Sequence, residues 1–189
     1  MRLLDRKVIY QGWGRYLLLT VGLKGGAVVE RQMDDHGQAA VVLPYDAGRG
    51  VALLARLARA GPLYLGEDPW LVEAAAGIID PGETPQEAAR REAMEELGVR
   101  LGALEPVGRV FTSPSTSSEV CHLFLAPYAA ADRVAAGGGL QAEHEEIEVL
   151  ELPLAELADR VDAGAIRDMK TLSLILALMR RRPTLFERA

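Results

Sequence analysis

The 189-residue chain has a single cysteine, Cys121, which excludes an internal disulfide and a thiolate metal site and fits a reducing compartment. Its 3 histidines, His36, His122 and His144, are spaced too irregularly for a zinc site. Basic residues are not in excess. The 21 Lys and Arg against 27 Asp and Glu leave a net charge of −6, which argues against a dedicated nucleic-acid surface, although a small phosphate-bearing ligand needs only a few local cations. Long apolar runs are also missing. Asp5, Arg6 and Lys7 interrupt the N-terminal region where a signal peptide needs an unbroken apolar core, and no later run approaches the roughly 18 residues of a membrane span. No internal repeat, low-complexity tract or linker divides the sequence. These absences predict a cytoplasmic, unprocessed protein with no membrane and no nucleic-acid partner. With 49% hydrophobic and 25% charged residues, the chain can bury one good core.

What the chain has in quantity is acid, and much of it is gathered in the stretch from Gly77 to Val99, GIIDPGETPQEAARREAMEELGV. Thr84, Pro85 and Glu87 predict a helix start: a Thr N-cap, a Pro at the first helical position where its missing N–H costs nothing, and a Glu placed to close a capping box. Gly98 predicts the stop. Between them Arg91, Glu92, Glu95 and Glu96 share one side of the helix, and Ala89, Ala93 and Leu97 make an adjoining apolar stripe bordered by Glu92 and Glu96. An exposed like-charge pair at i, i+4 costs only about 0.2–0.5 kcal/mol, so repulsion alone does not require a cation. At the edge of a core the cost rises, and a divalent cation is the usual remedy.

Around this stretch the pattern predicts an antiparallel N-terminal arm from Lys7 to Arg31, buried strands over His36–Leu43 and Gly50–Leu54 lying side by side, and a loop from Gly61 to Pro69. Trp70–Glu73 then leads into the small residues Ala74–Gly77, which allow close backbone approach. After the helix come strand candidates Glu105–Thr112 and Glu119–Pro127, joined by the polar loop Ser113–Ser118, which is either a plain turn or a ligand lip. The glycine run Gly137–Gly139 precedes a second acid cluster, Glu143, His144, Glu145 and Glu146, and a strand Ile147–Leu152. Pro153 opens a helix to about Ala163. A last helix, about Asp168 to Arg182, puts Leu172, Ile175, Leu178 and Met179 on one face and ends in basic residues that suit a helix C-terminus.

Gly77, Glu83 and the run Arg91-Glu92-Ala93-Met94-Glu95-Glu96-Leu97-Gly98-Val99 resemble the Nudix box, GX5EX7REUXEEXGU, with Ala93 smaller than the usual bulky aliphatic. The resemblance implies an α+β fold, a Nudix α/β/α sandwich with a mixed central sheet, here at residues 36–189 behind an N-terminal antiparallel β arm at 1–35. Flanking residues narrow it. Pro114 and Glu119 in the polar loop, Ala136–Gly139, Glu145–Pro153 and Ile166–Thr171 are similar to the branch of ADP-ribose pyrophosphatases and GDP-mannose hydrolases. That branch implies hydrolysis of a nucleoside diphosphate sugar, GDP-mannose before ADP-ribose, and a homodimer made through the arm.

Carried over position by position, the resemblance makes Glu92, Glu96, Glu145 and the backbone oxygen of Ala76 ligands of Mg²⁺, with Mn²⁺ as a substitute and Glu95 as a supporting acid. It makes Arg91 the residue that orients the glutamates and Glu83 a brace for the loop. Glu143 becomes the general base, with Glu145 or a box glutamate as alternatives, because members of the family place that group differently. Arg59, Arg56, Arg31, Glu119, Lys170 and Glu73 fall at substrate-contacting positions, and Trp13 at a place to stack on the base. Taken alone, Arg56 and Arg59 also fit as surface residues closing a strand, and Glu143–Glu146 as a solvated acidic run. A Nudix-fold module that senses a nucleotide without turnover is the competing reading. Both acid clusters argue against it, since hydrolysis of a diphosphate needs metal to neutralise phosphoryl oxygens and a group to activate water.

Overall fold

A computed structural model describes residues 1–140 and 146–187. Its centre is β4 (Gln38–Asp46), buried from Ala39 to Asp46 and running parallel to β9 (Val120–Pro127). Successive residues of β4 serve opposite faces, as a strand's twofold period requires. Val41, Leu43 and Tyr45 pack in a core with α3 (Leu154–Asp162) and α4 (Met169–Arg181), through Leu154, Leu157, Leu174, Ile175 and Leu178. Ala40 and Val42 pack in a second core with Ala88, Ala89, Ala93 and Leu97 of α2 (Pro85–Leu97). These are the two outer layers of an α/β/α sandwich. Leu174, Ile175 and Leu178 are fully buried, and each such side chain contributes roughly 1.5–3 kcal/mol. Ala93 is fully buried too, and a face built of Ala88, Ala89 and Ala93 lets α2 lie close against the sheet.

The central sheet is mixed, in the order β10 (Glu148–Pro153), β5 (Val51–Ala58), β4, β9, β8 (Glu105–Phe111). The expectation that β4 and β5 lie side by side holds only at their turn, where Tyr45 pairs with Ala52 and Asp46 with Val51. Beyond it they part. β6 (Trp70–Glu73) fills the gap on β5 and β7 (Ala75–Ile78) on β4, so one extended segment changes partner at Ala74. The stretch expected as a loop from Gly61 to Pro69 holds a short helix, α1 (Ala60–Tyr64), with no buried residue; Gly66, at φ 73°, turns the chain out of it.

The N-terminal residues form a separate three-stranded antiparallel sheet, β1 (Arg2–Gln11), β2 (Arg15–Gly22) and β3 (Val28–Asp35). It is fastened to the polar loop after β8: Asp34 N–H donates to Thr116 O (2.8 Å), Ser118 N–H to Asp34 O (2.9 Å) and Ser118 Oγ to Asp35 Oδ1 (2.7 Å). Among the described residues no helix is long and apolar enough to cross a membrane.

Candidate active site

The acidic helix α2 begins as its sequence predicts. Thr84 Oγ1 accepts from Glu87 N–H (3.3 Å), Glu87 Oε2 accepts from Thr84 N–H (2.8 Å), and Pro85 stands in the first turn. At the other end Gly98 adopts φ 66°, a left-handed turn that costs glycine little. Two carbonyls of the last turn are then met by the glycine run: Gly138 N–H donates to Glu96 O (2.8 Å) and Gly139 N–H to Glu95 O (3.0 Å). A side chain at Gly137 would meet Glu96 O at 2.4 Å, so this residue must be bare for the run to approach the helix end.

Between these caps Arg91 holds the acids. Its Nε and Nη2 donate to the two oxygens of Glu83 (both 3.0 Å), Nη1 donates to Glu92 Oε1 (2.6 Å) and Glu95 Oε2 (3.1 Å), and Nη2 also reaches the carbonyl of Ile78 (2.9 Å). The guanidinium keeps the Glu83 carboxyl below the usual carboxylate range, although partial burial opposes it. Glu83 also accepts from Asp80 N–H (3.1 Å), so the loop before the helix is braced to the helix through one carboxylate.

Glu92 and Glu96 are only 9% and 4% exposed, beside β7. Glu96 Oε2 accepts from Ala76 N–H at 3.2 Å, and a Cβ on Gly77 would lie 1.8 Å from Glu92 Oε1, so that glycine clears the place the carboxylate occupies. Two nearly buried carboxylates against a strand backbone form an all-oxygen donor set. Such a set fits a hard divalent cation that keeps several waters. Glu92, Glu96 and the carbonyl of Ala76 would hold it. Among the described residues no three His, Cys, Asp or Glu side chains converge on one point. The remaining expected acids, Glu143 and Glu145, lie outside the described residues.

Across β6 lies a chain of paired charges. Arg59 donates through Nε and Nη2 to both oxygens of Glu73 (2.8 Å each); the Glu73 side chain is 3% exposed while that of Arg59 is 43% exposed. Glu73 thus presents Arg59 outward rather than itself. Lys170 Nζ lies 3.9 Å from Glu73 Oε2 and donates to Asp168 Oδ1 (2.7 Å). Asp168 Oδ2 accepts from Thr171 N–H (2.8 Å) and Oγ1 (2.6 Å), and Thr171 Oγ1 accepts from Ala74 N–H (2.7 Å). Burial alone would raise the Asp168 carboxyl, but Lys170 and Thr171 more than offset it and hold it below the usual range; Lys170 is correspondingly raised by Asp168 against its own burial. The lysine at the start of α4 therefore answers two carboxylates, which explains a placement that the helix dipole does not favour.

The other candidates lie in three places. Arg56 turns from Arg59 to pair with Glu148 (2.9 Å) and to lie over the Trp70 ring (4.8 Å). Glu119 and Trp13 share a neighbour that sequence reasoning assigned no role: His36 Nε2 lies 3.4 Å from Glu119 Oε1, its Nδ1 lies 2.9 Å from Asp34 Oδ2, and its ring sits 5.1 Å from that of Trp13. Trp13 is 82% exposed, its ring open to a ligand. Arg31 stands on β3 in the arm and donates to the Glu30 carbonyl (2.9 Å). Asp168 and Thr171 were missed as well. The spacing Asp-x-x-Thr at a helix start is an N-cap signature that locates them, but nothing local says that the cap also reaches β6.

An α/β/α sandwich that sets two nearly buried carboxylates beside an outward guanidinium has the donor groups of a class, proteins that handle phosphate groups with a divalent metal. The NUDIX domain family matches residues 35–172, and the chain belongs to that family; it is a Nudix hydrolase. Nudix hydrolases generally use divalent metal ions. The chain is 42% identical over 161 residues to a GDP-mannose pyrophosphatase of Cronobacter sakazakii, covering 84% of this chain and 83% of that one. It is 37% identical over 155 residues to the GDP-mannose pyrophosphatase of Salmonella paratyphi B and, equally, to that of Escherichia coli O1:K1, in each case covering 80% of both chains. A solved structure described as an ADP compounds hydrolase superposes with a TM-score of 0.75 over 97% of this chain and 94% of that one; at 18% identity it shows the fold.

Proposed function

We propose that the protein hydrolyses the diphosphate bond of a nucleoside diphosphate sugar, with GDP-mannose as the preferred substrate. Water adds to one phosphorus, the P–O–P bridge to the other phosphorus breaks, and the products are a nucleoside monophosphate and a sugar phosphate. The observation that carries this is the 42% identity, over 84% of the chain, to a protein named for that reaction. The intact acidic helix supports it.

Mg²⁺ is the proposed metal, with Mn²⁺ able to replace it, held by Glu92, Glu96, the Ala76 carbonyl and Glu145. When bound it neutralises phosphoryl oxygens and lowers the pKa of bound water. Arg91 keeps Glu92 and Glu95 fixed on α2. We assign the general base to Glu143, following the family pattern. Arg59 meets the diphosphate, Lys170 and Glu73 support it, and Trp13, Glu119, Arg56 and Arg31 contribute contacts to base and sugar. The arm at residues 1–35 is proposed as the dimerisation element of a cytoplasmic homodimer. Its exposed Leu3, Val8, Tyr10 and Val28 are apolar surface that a second copy would cover.

Purified protein with Mg²⁺ is to be given GDP-mannose, ADP-ribose, ADP-glucose, diadenosine polyphosphates and nucleoside triphosphates, with products read as phosphate released by added phosphatase. GDP-mannose is expected to give the highest kcat/KM. Turnover of none of them overturns the proposal, and faster turnover of ADP-ribose replaces the substrate. A fully active monomer in sedimentation overturns the dimer.

A further inference from the structure

The extended segment 70–78 serves two strands, and the residue at which it changes partner, Ala74, is 1% exposed. Its N–H is taken not by another strand but by the side chain of a residue 97 positions away, Thr171, at 2.7 Å. Thr171 is itself fully buried. Its hydroxyl proton goes to Asp168 Oδ2 (2.6 Å), which turns a lone pair toward Ala74. Asp168 meanwhile holds Lys170 at 2.7 Å, and Lys170 stands 3.9 Å from the carboxylate that orients Arg59. Immediately before Ala74 in the chain is Glu73, the partner of Arg59. Two residues after it is Ala76, whose N–H meets Glu96 at 3.2 Å. One hydroxyl is therefore tied into the segment between the backbone that meets Glu96 and the carboxylate that holds the outward guanidinium of Arg59.

We propose that Thr171 is a positioning residue for both halves of the site: by pinning Ala74 it sets where the Ala76 carbonyl stands against Glu92 and Glu96, and where Glu73 presents Arg59. The kinetic part rests on the nucleotide-sugar hydrolysis proposed above, but the metal part does not. Thr171→Val keeps the shape and removes both hydrogen bonds of the hydroxyl; Thr171→Ser restores them.

The test is Mn²⁺ binding without substrate, followed by electron paramagnetic resonance, beside KM for GDP-mannose and the thermal midpoint. Thr171→Val is expected to weaken Mn²⁺ about tenfold or more, the usual scale for loss of a group that orients a metal ligand. It should also raise KM, and Thr171→Ser should return both to within about twofold of wild type. Wild-type Mn²⁺ affinity and KM in Thr171→Val, with only the thermal midpoint lowered, overturn the proposal and leave a structural hydrogen bond. Should Thr171→Val fail to fold, Asp168→Ala gives the same reading, since it removes the acceptor that orients the hydroxyl while keeping Thr171. Unchanged Mn²⁺ affinity there overturns the proposal equally, and so does a wild-type protein that binds no Mn²⁺. If the wild type binds Mn²⁺ but does not turn over GDP-mannose, the substrate reading fails while the affinity ratio still decides the role of Thr171.

Discussion

The two walls of the site are built by different means. On the α2 wall Arg91 reaches Glu83, Glu92 and Glu95, none more than 8 residues away, so one capped helix and its leading loop carry the ionic arrangement. On the facing wall Arg59 meets Glu73 across 14 residues, and Thr171 meets Ala74 across 97. Burial does not separate the two, since Glu92 and Glu96 on α2 are as sealed as Glu73 and Asp168. A local wall can be specified by helix periodicity and capping. A distributed wall exists only once the sheet has brought its parts together, and its charges must already be paired when they are buried, because an unpaired buried charge is costly.

If the α2 wall carries the metal chemistry, Glu96→Gln is the substitution with the largest effect. It keeps the shape and removes one anionic donor, and kcat is expected to fall by at least about a hundredfold. Near wild-type turnover at saturating Mg²⁺ would move the chemistry off this wall. Gly77→Ala sharpens the same point from the strand side. Its Cβ would lie 1.8 Å from Glu92 Oε1, so the carboxylate must shift, and metal affinity is expected to drop roughly tenfold. Unchanged Mn²⁺ affinity would show that the carboxylate has another productive place.

A smaller effect, on stability, is expected at Gly98→Ala. The residue has φ 66°, and a Cβ there would meet Ala135 O at 2.1 Å. The left-handed conformation and the contact together should cost about 1–3 kcal/mol, a thermal shift of a few degrees for a chain of this size. A midpoint equal to wild type would show that the helix end and the 134–139 segment move apart without loss.

The same contrast explains what could be read from the sequence. The box helix and its Thr84 and Gly98 limits were legible because each depends on neighbours in the chain, a cap or a period, whereas the mixed sheet and the sandwich were expected only through the resemblance to the Nudix box. The change of partner at Ala74 was not, since Trp70–Glu73 runs into the small residues Ala74–Gly77 with no Pro or Gly at Ala74 to mark it. Nor was the role of Lys170 in pairing two carboxylates legible, because Glu73 and Asp168 are 95 positions apart. His36 was read only as the start of a strand and as no part of a zinc site; its neighbours Trp13 and Glu119 come from the arm and from the edge of β9, and only the fastening of the arm to the loop at 113–118 brings them together.

The facing wall makes the mildest and most specific prediction, in its response to acid. The Asp168 carboxyl is held below its ordinary 3.8 by Lys170 and Thr171 despite burial, so the unfolded chain takes up this proton before the native protein does. Its contribution to stability is therefore present above pH 3.8 and is lost as pH falls through the lower, native value. Lys170 is displaced the opposite way, so its share is present below 10.5 and fades as pH rises through its raised native value. Between those limits the pair is fully formed. Urea unfolding of wild type and Asp168→Asn should show a stability gap that stays level from about pH 5 to 9 and narrows below pH 3.8. A gap that does not change with pH would mean that Asp168 acts as a hydrogen-bonding cap alone, and the facing wall would then be held by shape rather than by charge.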